Sequence, residues 1–576
     1  MRLNNLHLTL FLILCLLRVE AQPDYSGTSF ILPLDVRPSL SGTFGELRSN
    51  HFHSGIDFKT EGKVGKPVYA IEDGYVSRIK VSPGGFGNTL YVNHEEGYTS
   101  VYAHLQDFRG DLAEYVRLEQ YRRESYEVDL YLGEGQFLVS QGEIIARSGN
   151  SGYSFGPHLH FEIREASTQV PINPLLFNLR VKDEISPKIK KLKIYPESHE
   201  TLINGEPEPL VINVAGYGTR HHLVGMDTIR VQGRLSFGLL TYDLLNGAAN
   251  KNGIYEMKIR FDGSLVYHLR MEKFAFSETR YINSLIDYAE YRSNKERFIR
   301  SRLDPNNRLN IYEEIIDDGV ISITDSDLHD LMFEVVDIYG NRAALQVLLQ
   351  GVGANSFETG RGQKENYQLV SWRDESTFEA DGIELFFPAY AFYDNIHLKY
   401  EKRSKTTHTF SALHHIGDDK IPVHKYLTLS IRPEEAPAEL NEKLLLARMN
   451  GDGDRTMSAS GGTYQDGWVK GRIREFGIYS VALDTIPPQV KSLNVRAHQN
   501  VSTGQRLKFR IKDDFSGIKS YRGTMNDEWV LMQYDAKNDL LYYIVDDRTR
   551  KGLNRFRLEI HDEKDNLSVF EAELKL

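Results

Sequence analysis

Short runs in the first third of the chain carry residue types suited to hydrolytic chemistry: His53-Ser-Gly-Ile-Asp57, Tyr102-Ala-His104-Leu105 and Gly156-Pro157-His158-Leu159-His160-Phe161-Glu162. On a strand, side chains alternate faces. His158 and His160 therefore point one way, and Leu159 and Phe161 enter the opposite, buried face. Two imidazoles about 7 Å apart along one strand face can share a site but need not both bind one ion: one can ligate while the other reaches the bound water or substrate. His53 and Asp57 stand four apart around Gly55, a spacing that lets a tight loop turn an imidazole and a carboxylate onto one ion. Two His and one Asp make a nitrogen–oxygen set that matches a catalytic zinc with its fourth position kept for water. A His-x-His or a His-x-x-x-Asp by itself is usually a pair of ordinary polar residues; the information lies in their combination and order.

The elements that must position these residues are short strands. Residues 26–177 are dense in Gly and in alternating apolar runs. Strands are expected over 68–70 and 75–81, joined at Asp73-Gly74, and over 89–93 and 99–103, joined at Glu95-Glu96-Gly97. Residues 111–123 lack Gly and Pro and space their apolar residues three and four apart, which predicts a short helix. Tyr126, Val128, Leu130 and Leu132 then alternate, and strands resume at 143–146 and 158–164.

This combination resembles the lysostaphin/LytM-type zinc endopeptidases, which cut peptide cross-bridges of bacterial peptidoglycan. The similarity spans about residues 45–177. Besides the histidine motifs it includes Gly65-Lys-Pro-Val-Tyr-Ala-Ile-Glu-Asp-Gly-Tyr-Val76, Gly85-Phe-Gly-Asn88 and Gly149-Asn-Ser-Gly152. The resemblance implies one Zn2+ ion held by His53, Asp57 and His160. It also implies that His104 and His158 position and deprotonate the water. Glu162 shares the strand face of the two histidines and is either an orienting partner or a carboxylate at a strand end. The chain departs from the family pattern at 109–136, longer than the loop expected after Tyr-Ala-His-Leu. That segment either walls the substrate groove or packs as a surface insertion.

Other histidines fit blander roles. His51 reads as surface loop and His94 as a solvated turn residue. The adjacent pairs His221-His222 and His414-His415 would face opposite sides of a strand and are not expected to share a metal. Asn450-Gly-Asp-Gly-Asp454 starts like a calcium loop, but its twelfth position is Gly461, where a bidentate Glu is needed, so it reads as a polar turn.

The 576 residues carry 80 Asp+Glu against 69 Lys+Arg, a net charge of −11, which argues against nucleic-acid binding. With 40% hydrophobic, 11% aromatic and 26% charged residues, the composition excludes general disorder and a polytopic membrane protein. Residues 1–21 read as a secretory signal: Arg2, an apolar core over 8–17, and Val19-Glu-Ala21 before the cleavage point. The only cysteine, Cys15, leaves with it, so neither a disulfide nor a thiolate site is available. No transmembrane segment is expected after cleavage.

The expected fold class is mostly β: an antiparallel LytM-type domain (26–178) with a small helical insertion, then sandwiches at 183–351, 365–487 and 488–576. The first and last of these read as immunoglobulin-like. They share a proline-stiffened entry (Ile185-Ser-Pro187 and Ile486-Pro-Pro488) and a polar turn (Asp337-Ile-Tyr-Gly-Asn341 and Asp562-Glu-Lys-Asp-Asn566). A helix-prone stretch is expected at 282–302 and a linker at 351–366. The leading expectation is an exported zinc endopeptidase acting on peptidoglycan peptides in the periplasm or at the envelope surface, its sandwiches free to bind envelope partners. Alternatives are a non-catalytic regulator of amidases on the same fold, and an endopeptidase for Gly-rich proteins.

Overall fold

The computed structural model describes residues 25–177, 179, 181–353, 368–450 and 456–576. The signal segment with Cys15, most of the expected linker, and the Asn450–Asp454 run after its first residue lie outside the described residues.

In the N-terminal part the strands are β1 (Leu40–Gly42), β2 (Ile56–Lys59), β3 (Pro67–Tyr69), β4 (Gly74–Val81), β5 (Asn88–Asn93), β6 (Tyr98–Leu105) and β7 (Asp107–Phe108). Helix α1 (Gly110–Arg123) follows, then β8 (Val128–Tyr131), β9 (Leu138–Val139), β10 (Ile144–Arg147), β11 (His158–Glu165) and β12 (Pro171–Ile172). The main sheet runs β1-β2-β11-β6-β5-β4-β8, with β12 added to β11 and β9 to β4. The apolar positions of its strands alternate into one core that includes Ile56, Phe58, Val76, Ile79, Leu90, Leu159 and Phe161. The hairpin at 95–97 forms as expected. The one at Asp73-Gly74 does not: β3 pairs with β10 in a separate sheet, β3-β10-β7, while β4 pairs with β5 and β8. Gly74 is the reason β4 can start where it does, because a Cβ there would meet the Asn93 carbonyl oxygen at 2.2 Å.

Beyond residue 181 the regular structure of the described residues is almost all strand. Residues 188–351 build a twelve-stranded network around Thr228–Tyr242, which pairs with Lys188–Pro196 along one edge and, in parallel, with Arg342–Gly351 at its start. The helix-prone stretch forms two short helices, Ile282–Leu285 and Tyr288–Asn294, and ends in strand Ile299–Arg300. Residues 376–483 form two five-stranded sheets over one core, and 489–575 a four- and a five-stranded sheet over another.

The 109–136 segment packs against the last sandwich. Tyr121 of α1 meets Trp529 edge-on at 5.2 Å and hydrogen-bonds Asp546, the Arg548 guanidinium lies 4.0 Å from the Tyr121 ring, and Glu124 pairs with Arg522 at 2.7 Å. The insertion therefore ties the two ends of the molecule together, a role its sequence did not announce.

Candidate metal centre

Strand pairing brings the motifs together. In the register of β11, His160 stands opposite Asp57 of β2 on one side and Ala103 of β6 on the other, the residue before His104. The His53–Asp57 loop packs directly on β11, and Gly55 makes this possible: a Cβ there would meet the Phe161 carbonyl oxygen at 2.3 Å.

His53 Nε2 lies 3.0 Å from His160 Nδ1, His160 Nδ1 lies 2.9 Å from Asp57 Oδ1, and His53 Nε2 lies 3.1 Å from Asp57 Oδ1. Tetrahedral zinc with ligands at ~2.0–2.1 Å separates its ligand atoms by roughly 3.3 Å, so these three atoms fit such an ion. All three side chains are buried. His104 and His158 border the group, their rings 4.8 Å apart, and His158 Nε2 lies 3.5 Å from Asp57 Oδ1. The structure thus gathers all five candidate residues.

Hydrogen bonds set which nitrogen of each ring is bare. A carbonyl oxygen only accepts, so the ring nitrogen facing it carries the hydrogen. His53 Nδ1 donates to Thr43 O (2.8 Å), His104 Nδ1 to Ser151 O (2.8 Å) and His158 Nδ1 to Gly156 O (2.9 Å). Each then offers its Nε2. His160 is reversed: its Nε2 faces Glu162 Oε1 at 2.9 Å, leaving Nδ1 for the group.

Glu162 is fully buried and bonded by Ser54 and Arg164 as well as His160. Burial would raise its carboxyl, but Arg164 and His160 outweigh it and hold it down to about 2. Of its two readings, the orienting partner is the one that matches this position. Burial opposes charge on His160, yet Asp57 and Glu162 overcome it and lift the ring to about 9, so an ion taken up at Nδ1 would displace a proton there. Burial, reinforced by the neighboring histidines, drops His104 to about 3; burial drops His53 to about 4 against the pull of Asp57. These two rings are neutral at neutral pH.

His104 sits at φ 58°, a left-handed conformation that costs energy for a side chain of this size and that clusters at functional sites. Its backbone N–H donates to Phe86 O at 2.9 Å, and the 149–152 loop closes on it. From the last sandwich, Lys537 donates to the carbonyls of Asn150 and of Ser154 (3.0 Å), on the loop that holds both His104 and His158.

The sequence reading missed Arg48, whose guanidinium pairs with Asp57 Oδ2 at 2.7 Å and with Glu46 at 3.3 Å. The available signal was an arginine in the Gly-flanked entry to the first motif. Also missed was the anchoring of that entry. Phe44 and Phe52 flank the Thr43–His53 bond and belong to the core of the following sandwich, packing on Phe274 at 4.8 and 5.2 Å.

His51 is exposed and bonded to Ser49 O. His94 is corrected: it is buried, with Nδ1 on Asp73 O and Nε2 on Ser100 Oγ, because the start of β4 and strand β6 close over the turn. His221 and His414 are buried, while their neighbors His222 and His415 lie on the opposite faces of their strands.

The sequence profile of peptidase family M23 matches residues 51–121 and 126–174, and that of a Zu5-like domain matches 367–484. The DD-carboxypeptidase/endopeptidase Mpg of Neisseria meningitidis serogroup B is 32% identical over 129 residues, 22% of this chain and 23% of that protein. The peptidoglycan DD-endopeptidase ShyB of Vibrio cholerae is 33% identical over 111 residues, 19% of this chain and 20% of that one. A crystal structure of a zinc-containing peptidase from Vibrio cholerae is 27% identical, covering 27% of this chain and 41% of that one with a TM-score of 0.20, too low to bear weight. The chain thus spans about a fifth to a quarter of the length of these curated relatives. Residues 51–174 form a peptidase family M23 domain of the LytM type, and the rest of the chain is β-rich, with a Zu5-like domain within it.

Proposed function

We propose that this chain is an exported, zinc-dependent endopeptidase that hydrolyses peptide bonds in the stem or cross-bridge peptides of peptidoglycan. The observation that carries the reading is the convergence of His53 Nε2, Asp57 Oδ1 and His160 Nδ1 beside the His104–His158 pair. His53, Asp57 and His160 would hold one Zn2+ ion, which supplies Lewis acidity to the reacting water and carbonyl. The bare Nε2 atoms of His104 and His158 take the proton of the attacking water and return it to the leaving amine as the C–N bond breaks. Thr43, Ser151 and Gly156 carbonyls keep the rings in that tautomer, and Glu162 keeps His160 turned inward. On the loop before His158, exposed Tyr153 and Phe155 offer apolar faces to a bound peptide.

The relative named as a peptidoglycan DD-endopeptidase supports the substrate class. A regulator without metal would have no use for a complete set of oriented lone pairs, which disfavors that alternative. We further propose an N-terminal signal at 1–21, a location in the periplasm or at the envelope surface, and domain limits near 26–178, 183–351, 365–487 and 488–576, the sandwiches serving for spacing or envelope-protein partners. The test is incubation of purified protein with isolated sacculi, with and without chelator, followed by mass analysis of released muropeptides. Chelator-sensitive release of peptide-cleaved fragments is expected; unaltered sacculi with zinc-loaded protein would sink the reading.

A further inference from the structure

Where the chain leaves the peptidase domain it gathers aspartates that the hydrolytic reading does not use. Asp183, Asp243 and Asp337 are all buried, and each offers a carboxylate oxygen within 4.8 Å of the others. Among the described residues none of them pairs with a Lys or Arg. Asp337 is satisfied by the backbone N–H groups of Tyr339 (2.8 Å) and Asn341 (2.9 Å) and by the Asn341 side chain (2.7 Å). Asp183 Oδ1 accepts from Ile185 N and Asn246 N, both at 3.2 Å. But Asp183 Oδ2 and Asp243 Oδ1 are buried with no hydrogen-bond partner, in residues only 8% and 3% exposed. Unpartnered carboxylate oxygens crowded in a dry place are costly unless a cation joins them.

We propose that Asp183, Asp243 and Asp337 bind a calcium ion that braces the joint between the peptidase domain and the sandwich after it. The donor set is oxygen only, which favors a hard cation over zinc. Ligands drawn from three separate loop and turn positions favor calcium, which accepts flexible coordination, over magnesium, which demands near-octahedral coordination and keeps several waters. The three ligands come from the domain exit, from the loop after strand Thr228–Tyr242 and from the turn before Arg342–Gly351. Apolar neighbors of each plug into the peptidase core: Val181 and Leu245 are part of it, and Ala248 and Ile338 pack against it. An ion here would lock those segments to one another across the joint.

The molecule contains its own control. Asp484, Asp513 and Asp562 repeat the arrangement at the entry to the last sandwich, and Phe515 packs on the preceding domain as Leu245 does. There the carboxylates are taken up by backbone: Asp484 by Ile486 N and Ser516 N, Asp513 by Phe515 N and Gly517 N, Asp562 by Lys564 N and Asn566 N. That second group carries no such proposal.

The test uses the full chain, stripped by chelator and reloaded with one equivalent of Zn2+. Equilibrium dialysis should find one tightly held Ca2+, and Ca2+ should raise the Tm by about 5 °C where Mg2+ at the same concentration does not. D243N should lose both responses, keep its zinc, and melt higher than the parent in calcium-free buffer because repulsion is relieved. D562N should keep the calcium response. Should D243N fold poorly, D183N serves as the second variant with the same expected loss. Wild type without a calcium response, equal responses to Mg2+, or an unchanged response in both D243N and D183N would overturn the proposal. These readouts do not involve peptide cleavage, so the inference can fail while the hydrolase reading stands.

Discussion

The two buried triads, His53/Asp57/His160 in the peptidase domain and Asp183/Asp243/Asp337 at its exit, invest their neighbors differently. In the first, each side chain of the proposed metal site is held from behind: His53 by Thr43 O, His160 by Glu162, Asp57 by Arg48. In the second, two oxygens have no partner at all. The difference teaches that a center that must present lone pairs at fixed angles to a reacting group needs outer hydrogen bonds for orientation, while a brace needs only opposite charge to draw its ligands together.

The sharpest way to break this comparison is to remove one inward nitrogen. His160→Ala is expected to abolish zinc retention and peptide cleavage together, read by metal analysis and muropeptide release; full zinc occupancy would contradict the ligand assignment. His104→Ala and His158→Ala should keep zinc and lose activity by ~10²–10⁴-fold, a split that separates proton handling from metal holding. Glu162→Gln tests orientation alone, with zinc affinity expected to fall ~10–100-fold in competition with a chromogenic chelator. Phe274→Ala, remote from the ligands, should cost about 3–5 kcal/mol of stability by denaturant titration, and also loosen zinc by freeing the Phe44–Phe52 entry. By contrast, Asp337→Asn should leave zinc affinity unchanged.

The smallest effect is a pH dependence outside both triads. His424 stacks on Tyr281 at 4.3 Å and bonds Tyr393 at 3.1 Å, where the Zu5-like domain meets the sandwich before it. Burial, helped by Arg474 and Arg280, drops its pKa from 6.5 to about 4. As pH falls from about 6.5 to about 4 the unfolded chain takes up this proton first, so stability is expected to decline over that window and to be unaffected above pH 7. His424→Gln should flatten this part of the Tm-versus-pH curve.

Much of the hydrolytic site was legible because strand alternation and the four-residue spacing are local: His158 and His160 on one face, His53 and Asp57 around a glycine. Helix α1 and the hairpin at 95–97 were equally local. The pairing of β3 with β10 was not, since a turn dipeptide says nothing about which partner a strand finds across some 75 residues. Arg48, Lys537 and Phe274 were missed for the same reason, their roles being set by tertiary contacts. The aspartates show the limit most clearly. Asp337 and Asp562 were noticed as turn residues, but Asp243 and Asp513, which complete each cluster, stand in runs with no shared spacing to the others.

Phe44 and Phe52 belong to one domain by sequence and to the core of the next by packing. A fragment trimmed to the family-matching stretch, 51–174, would delete Phe44 and Thr43 and leave Phe52 in water, so His53 would lose the carbonyl that fixes its tautomer. The smallest unit able to work is therefore larger than the unit that homology recognizes, and dissecting this molecule for expression means cutting after the second core rather than the first.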